Sequence, residues 1–384
     1  MNQTGRLRAA RGPVAPDSVG CPRILYLMHI DWDFIWQRPH ELAKQLAKEY
    51  QVQVVFAYGR HRGVMRHNDR SGLVLRPFFQ LPLRQQSRLL ADINGLLLRF
   101  VFRVMIWSSH PDIIWLTSPE QVEYIPSGYQ GKVVYDCMDD ALAFPQPAAF
   151  VGRMRRDETT LVARSDLVLT SSAYLGAKLS ERYGTPARTR LIRNGCSRSN
   201  RPVTNETSRG ADRLWHLGYI GTLANVDVEA ITELVKSVPD VCLDLVGPGT
   251  GWAGATDCPR LQLLGTLEHQ GLWKFASTCC CLIAPFPRTT LTQGVDPVKL
   301  YEYVSWGKPI VALKYPEIER FSDFVEFYES PQDLVRVVSR MRSEGFVRKY
   351  SEEQRRTFLS ENTWDVRGRQ VRQELRDLLR GMDS

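Results

Sequence analysis

The sequence predicts a two-domain α/β protein in which each half is an open parallel sheet covered by helices, the two Rossmann-like halves facing each other across a cleft. Three observations predict it. The chain has 384 residues, more than one hydrophobic core usually serves. Short apolar strands alternate with helical stretches through both halves, the pattern of strands joined by crossover helices. Between the halves lies a polar stretch rich in Ser, Asn and Arg, SRSNRPVTNETSRGADR, which reads as a linker. The expected boundaries are a disordered leader over 1–21, an N-terminal domain over 22–196 and a linker over 197–213. A C-terminal domain over 214–349 and a helical tail over 350–384 follow.

In the first half the expected strands are RILYLMHI, VQVVFAY, DIIWLT, KVVYDCM and DLVLTSS. A helix is expected over 39–49, with Pro39 at its first position and Leu42, Ala43, Leu46 and Ala47 at helical spacing. The stretch LLADINGLLLRFVFRVMIW, residues 89–107, has too much apolar content for an ordinary surface helix. Asp92, Arg99 and Arg103, and a length near the lower limit, argue against a bilayer span. Two readings stay open: a helix packed between the sheet and its neighbours, or an interfacial helix lying on an anionic membrane surface. In the second half the strands are LWHLGYIG, VCLDLVGP, LQLLGT, CCCLIAPF and PIVALK, and the tail carries Trp364, Val371, Leu375 and Leu379 as an apolar stripe.

Composition narrows the function. With 43% hydrophobic and 24% charged residues the chain is soluble and globular. Its formal net charge of +8 is uneven, because residues 1–200 carry 27 Lys and Arg against 17 Asp and Glu. A basic half suits a phosphorylated substrate, an anionic lipid or nucleic acid, and the last is set aside because no nucleic-acid module is visible. The eight cysteines show no CxxC or Cys/His spacing, and three sit together in CCCLIAPF. This fits reduced thiols in the cytosol rather than a zinc site or a disulfide framework. No apolar run follows the early arginines 6, 8 and 11, so a secretory signal is not expected.

Ligands of doubly wound sheets bind where the strands end at their carboxyl edge, so the residues after each strand are the candidates. After RILYLMHI comes DWDFIWQRPH, far more loaded than a plain connector needs. Trp32 and Trp36 offer flat faces to a sugar ring, Gln37 and His40 hydrogen bonds to its hydroxyls, and Arg38 a bidentate contact to a phosphate. The alternative is that the tryptophans pack the domain edge and Arg38 pairs with Asp31 or Asp33. Asp139 and Asp140 follow KVVYDCM, and either suits a general base for an attacking hydroxyl or a plain helix cap.

In GVDPVKLYEYVSWGKPIVALK, residues 294–314, Asp296 reads as an N-cap and Pro297 as the first helical residue. Lys299 then falls in the first turn, where the helix dipole disfavours a cation unless an anion is present. Glu302 lies on the same side and suits a ribose; the alternative is an exposed Lys299–Glu302 ion pair. The strand ending GYIGTL places Gly221 and Thr222 where backbone can approach a phosphate. LVGPG repeats the pattern at Gly247, near where a nucleotide base would lie, or makes a plain turn.

The order of GYIGTL, LVGPG, LLGTL, CCCLIAPF and DPVKLYEYVSWGKPIVALK resembles the donor-binding half of GT-B glycosyltransferases, most of all the GT4-type group. IRNG at 192–195 is similar to that fold's interdomain turn. WQRPHELAKQLA, VVYDCMDD and ARSDLVLTSS resemble bacterial members that build exopolysaccharide, capsule or teichuronic-type polymers. The resemblance covers nearly the whole chain from residue 22. It implies a UDP- or GDP-linked sugar donor in the second half, with Asn194, Gly221, Thr222, Gly247 and Asp296 around it, Lys299 on the diphosphate and Glu302 on the ribose. It implies Asp139 as the base, a glycan or lipid-linked acceptor, no cofactor and no bound metal. Many members carry an acidic residue where this chain has Gly294, a departure that leaves the donor sugar and the stereochemical outcome open. The expectation is a glycosyltransferase of cell-surface polysaccharide synthesis, cytoplasmic or peripheral on the inner face of the membrane. The rivals are a sugar-nucleotide epimerase of the same plan and a non-catalytic sugar-nucleotide-binding scaffold.

Overall fold

A computed structural model describes residues 20–57, 72–78, 88–145, 147–184, 188–197, 214–249 and 258–380. Nearly all of the expected leader and of the expected linker lies outside these residues. The first sheet contains β1 (Arg23–Met28), β2 (Gln51–Ala57), β3 (Leu73–Phe78), β4 (Ile113–Leu116), β5 (Lys132–Cys137), β6 (Leu167–Thr170) and β7 (Thr189–Leu191) in the spatial order 3-2-1-4-5-6-7. The second contains β8 (Trp215–Ile220), β9 (Val241–Val246), β10 (Leu261–Leu263), β11 (Cys281–Ala284), β12 (Ile310–Leu313) and β13 (Glu326–Tyr328) in the order 10-9-8-11-12-13. Every pairing is parallel. Strand order therefore reverses beside β1 and beside β8, and each reversal opens a crevice at the carboxyl ends of the strands.

All ten expected strands form. β3, β7 and β13 were not anticipated, and all three lie at sheet edges, where a strand lacks the continuous apolar run of a buried neighbour. β4 and β6, by contrast, are buried at every residue.

The described helices are α1 (Arg38–Leu46), α2 (Arg88–Ser109), α3 (Ala148–Arg164), α4 (Ala173–Tyr183), α5 (Val228–Ser237), α6 (His269–Thr278), α7 (Thr290–Gln293), α8 (Val298–Ser305), α9 (Pro331–Ser343), α10 (Glu352–Glu361) and α11 (Trp364–Arg380). Pro39 is the second residue of α1 rather than the first, behind an N-cap at Gln37. On one face of the first sheet, Leu42 and Leu46 of α1 pack with Ile24, Tyr26 and Val54. The C-terminal tail joins the same core: Trp364, Val371 and Leu375 of α11 are buried there with Leu378, while Leu379 is partly buried. On the other face, Leu98, Phe102 and Ile106 of α2 pack on Leu25, Leu27 and Val55.

One side of α2 packs on the sheet, as the first of its two readings expects, and the other faces solvent. Away from that core, Leu96, Leu97, Phe100, Val104 and Trp107 are exposed, Phe100 at 67% and Trp107 at 75%. Among the described residues no helix is long and apolar enough to cross a membrane.

Candidate functional site

The loop after β1 is built to hold itself together. Trp32 is buried at 1% exposure and packs edge-on against Trp36 and against the His40 ring, so it offers no open face to a sugar. His40 is fully buried. Its Nδ1 accepts from the Gln37 N–H at 3.2 Å and its Nε2 lies 3.2 Å from the Trp32 carbonyl oxygen. Gln37 and His40 thus fix the start of α1, a correction to their expected role on sugar hydroxyls. Trp36 is half-buried and donates from Nε1 to Glu41 at 2.8 Å.

Arg38 is corrected as well. Its guanidinium is 1% exposed and bonds Asp136 through Nη2 at 2.7 Å and Nε at 3.0 Å, the Ile192 carbonyl at 2.6 Å and Asn194 Oδ1 at 3.1 Å. Neither Asp31 nor Asp33 is the partner. Asp136 is fully buried on β5, so this pair is an internal charge balance whose donors are committed to the protein.

The adjacent aspartates divide sharply. Arg182 on α4 holds Asp140 with two bonds, 2.7 and 2.6 Å, and the Asp140 side chain has no exposure. With both oxygens committed to Arg182 and no exposure, this carboxylate cannot meet an acceptor hydroxyl, which removes Asp140 as a base. Arg182 also lies 3.8 Å from Glu158, which accepts from Tyr135 and Tyr183. Asp139 is different: its carboxylate has no hydrogen-bond or ion-pair partner among the described residues, and its residue is half-buried. Burial pushes it up to about 7, with nearby Arg38 pulling the other way and Asp140 adding to the rise.

The second half assembles four of its expected residues. Gly221 and Gly247 end β8 and β9 with φ of +151° and +148°, values that side chains rarely adopt. A Cβ on Gly247 would stand 1.8 Å from the Gly221 carbonyl oxygen, and one on Gly221 would stand 2.6 Å from Lys299 Nζ. The two glycine turns and Lys299 are therefore in contact, and Thr222 follows directly, its carbonyl accepting from Tyr219 at 2.9 Å.

Lys299 lies in the first turn of α8, with Leu300, Tyr303 and Val304 buried behind it as expected. Its ammonium donates to Tyr219 Oη at 3.1 Å and lies over the Tyr219 and Phe286 rings at 4.3 and 4.5 Å. Among the described residues it has no carboxylate within ion-pair distance. Burial pulls it down to about 7, against the opposing charge of Glu302. Glu302 is pushed up to about 7 by burial, with Lys299 pulling back and Glu41 across the cleft adding to the rise. An exposed Lys299–Glu302 ion pair is thus not what the structure contains. Tyr219 and Phe286, which line the lysine, were not anticipated; their only signal is a place at the end of an apolar strand.

Asp296 does not cap α8. Pro297 is the N-cap, and the Asp296 carboxylate accepts from the Asn194 N–H at 2.7 Å, Tyr301 at 2.8 Å and Arg320 at 2.6 Å. Asn194 in turn donates from Nδ2 to the Asp296 carbonyl at 2.6 Å, and its own carbonyl accepts from Arg367 of α11 at 3.0 Å. Asn194 and Asp296 therefore join the turn after β7 to the second half, in contact with the buried Arg38, rather than lining the glycine turns. Gly294 sits close against α4: a Cβ there would stand 3.0 Å from the Tyr174 ring, so the acidic side chain expected by resemblance would have to push that ring aside by a few tenths of an ångström.

No family model matches the chain. It is 22% identical, over 88% of its length and 84% of the relative's, to a Bacillus subtilis protein named as a teichuronic acid biosynthesis glycosyltransferase, TuaH. Among solved structures it is similar to a sucrose-phosphate synthase from Thermosynechococcus elongatus, with a TM-score of 0.74 at 12% identity, covering 94% of this chain and 100% of that one. It is also similar to Anabaena HepE in complex with UDP and glucose, with a TM-score of 0.63 at 16% identity, covering 92% and 98%. These likenesses span both sheets, and the architecture is GT-B.

Proposed function

From the GT-B architecture we propose that the chain is a glycosyltransferase that moves a sugar from a nucleoside-diphosphate donor, UDP- or GDP-linked, to an acceptor hydroxyl. One observation carries the reading. Lys299 is a half-buried cation with no carboxylate within ion-pair distance among the described residues, held against two glycine turns at the carboxyl ends of β8 and β9. Burying an unpaired charge is costly, and a diphosphate in that place supplies the missing anion. The N–H groups of the first turn of α8 add donors and a favourable dipole.

In the reaction, Asp139 takes the proton of the acceptor hydroxyl as its oxygen bonds to the anomeric carbon, and the bond from that carbon to the diphosphate oxygen breaks. Charge gathers on the departing diphosphate, where Lys299 and the α8 N–H groups stabilise it. Glu302 is placed for the ribose hydroxyls. Steering by fixed protein groups takes the part a divalent ion has elsewhere, so we assign no catalytic metal.

Thermal unfolding with UDP, GDP, ADP and dTDP tests the donor half, since a ligand of the folded state raises stability with the logarithm of its concentration over Kd. One diphosphate should stabilise the native chain and fail with Lys299→Ala. Lack of any response would favour a non-catalytic scaffold.

The outer side of α2 supports a glycan acceptor carried on a lipid at the cytoplasmic face of a membrane, in synthesis of a cell-surface polymer. Leu96, Leu97, Phe100, Val104 and Trp107 form one exposed apolar stripe beside the exposed Arg103, more contiguous than a monomer's surface usually shows. Sedimentation with anionic liposomes at low salt should carry the protein down and fail for Phe100→Glu with Trp107→Glu. A native chain that stays in the supernatant would remove the membrane from the proposal.

A further inference from the structure

The far end of β8 and β9 from the glycine turns carries a second cluster of chemically active side chains. His216 pairs in register with Cys242, and Gly218 with Asp244, so His216, Cys242 and Asp244 share one face of two adjacent strands. His216 Nδ1 lies 2.8 Å from Asp244 Oδ2, and Cys242 Sγ lies 3.5 Å from Asp244 Oδ1. One donor atom from each of the three falls within 4.8 Å of the others. Cys242 is fully buried, Asp244 6% exposed, and the His216 side chain 20% exposed.

Two more thiols crowd the same place. The position a Cβ on Gly218 would take is 2.5 Å from Cys279 Sγ, so that sulfur occupies the room the missing side chain leaves. Cys280 Sγ lies 3.2 Å from the His216 carbonyl oxygen. None of this has a sequence motif, because the side chains come from two strands, β8 and β9, and the short stretch between α6 and β11. That is why cysteine spacing alone pointed away from a metal.

We propose that His216, Cys242 and Asp244 hold a zinc-like divalent cation. The donor set is one imidazole, one thiolate and one carboxylate, which suits zinc and not the all-oxygen sites of magnesium or calcium. Thiolate and carboxylate together neutralise a dication, so the loaded site buries no net charge. The ion ties β8 to β9 at the end opposite the donor site and takes no part in transfer.

The test is a cobalt(II) titration of the full chain after dialysis against a chelator. One equivalent should bind, with visible bands of a tetrahedral site and a near-ultraviolet thiolate-to-metal band, and zinc should displace it. Cys242→Ala should lose the thiolate band, His216→Gln should weaken binding at least tenfold, and Cys21→Ser should change neither. Circular dichroism confirms that each variant is folded; if Cys242→Ala is not, His216→Gln alone decides. Absence of stoichiometric uptake by the native chain, or an unchanged spectrum in Cys242→Ala or unchanged affinity in His216→Gln, would overturn the site. The UDP response through Lys299 is read separately, so neither result depends on the other.

Discussion

Arg38 and Lys299 are both cations taken out of water near the cleft, one in each half of the molecule, and they differ in what faces them. Arg38 meets Asp136, the Ile192 carbonyl, the Asn194 side-chain oxygen and almost no solvent. Lys299 meets a tyrosine hydroxyl and two aromatic rings. The first is a charge balanced by the fold and the second a charge awaiting its balance. The same contrast separates Asp140, clamped by Arg182, from Asp139 beside it. Satisfied charges hold the scaffold, and unsatisfied ones mark where a ligand belongs.

The largest expected effect breaks the balanced member. Arg38→Ala leaves Asp136 buried without a partner and should cost about 3–5 kcal/mol in chemical denaturation, whereas Arg38→Met with Asp136→Leu should recover much of it. If Arg38→Ala kept full stability and lost only turnover, the contrast would be wrong. Next comes Lys299→Ala, which should lower kcat/KM by about 10²–10³-fold while leaving stability equal or higher, because it removes a half-buried cation. Asp139→Asn should lower turnover by about 10²-fold, and the native rate should rise with pH through about 7 as Asp139 ionises.

The smallest effect is on stability against pH in the absence of nucleotide. Asp139 and Glu302 are raised to about 7 in the folded state, above their unfolded values near 4. The folded chain then holds more protons between these limits, so stability falls as pH rises from about 4 to 7. Lys299 is lowered to about 7, so the folded chain holds fewer protons between about 7 and 10, and stability rises over that range. Asp139→Asn should remove about 1 kcal/mol of the acid-side fall, a figure reduced for partial solvent exposure. Urea midpoints at several pH values would show it, and identical profiles for native chain and variant would place Asp139 in open water.

Much of the fold is legible in the sequence because central parallel strands are buried on both faces and so read as unbroken apolar runs, as in IIWL and CLIA. The edge strand LVLRPF is half-exposed and carries Arg76 and Pro77, which hides it. Lys299 is legible because a cation in a first helical turn is locally out of place. Arg38 is not: its partner lies 98 residues away, while Asp31 and Asp33 stand nearby as false candidates. Sequence likewise cannot choose between Asp139 and Asp140, since the choice is made by Arg182, 42 residues beyond Asp140. Asp296 looks like a cap by spacing, and only the meeting with Asn194, 102 residues earlier, shows what it holds.

The place of α11 bears on how the chain is made. Trp364, Val371 and Leu375 complete the core that Leu42 and Leu46 begin. During synthesis, α1 leaves the ribosome more than 300 residues before its partner does, a delay of roughly 15–65 s at about 5–20 residues per second. Through that interval the first sheet has one apolar face uncovered, so the nascent chain must either be shielded by a chaperone or hold its first half unfinished until the last helix arrives.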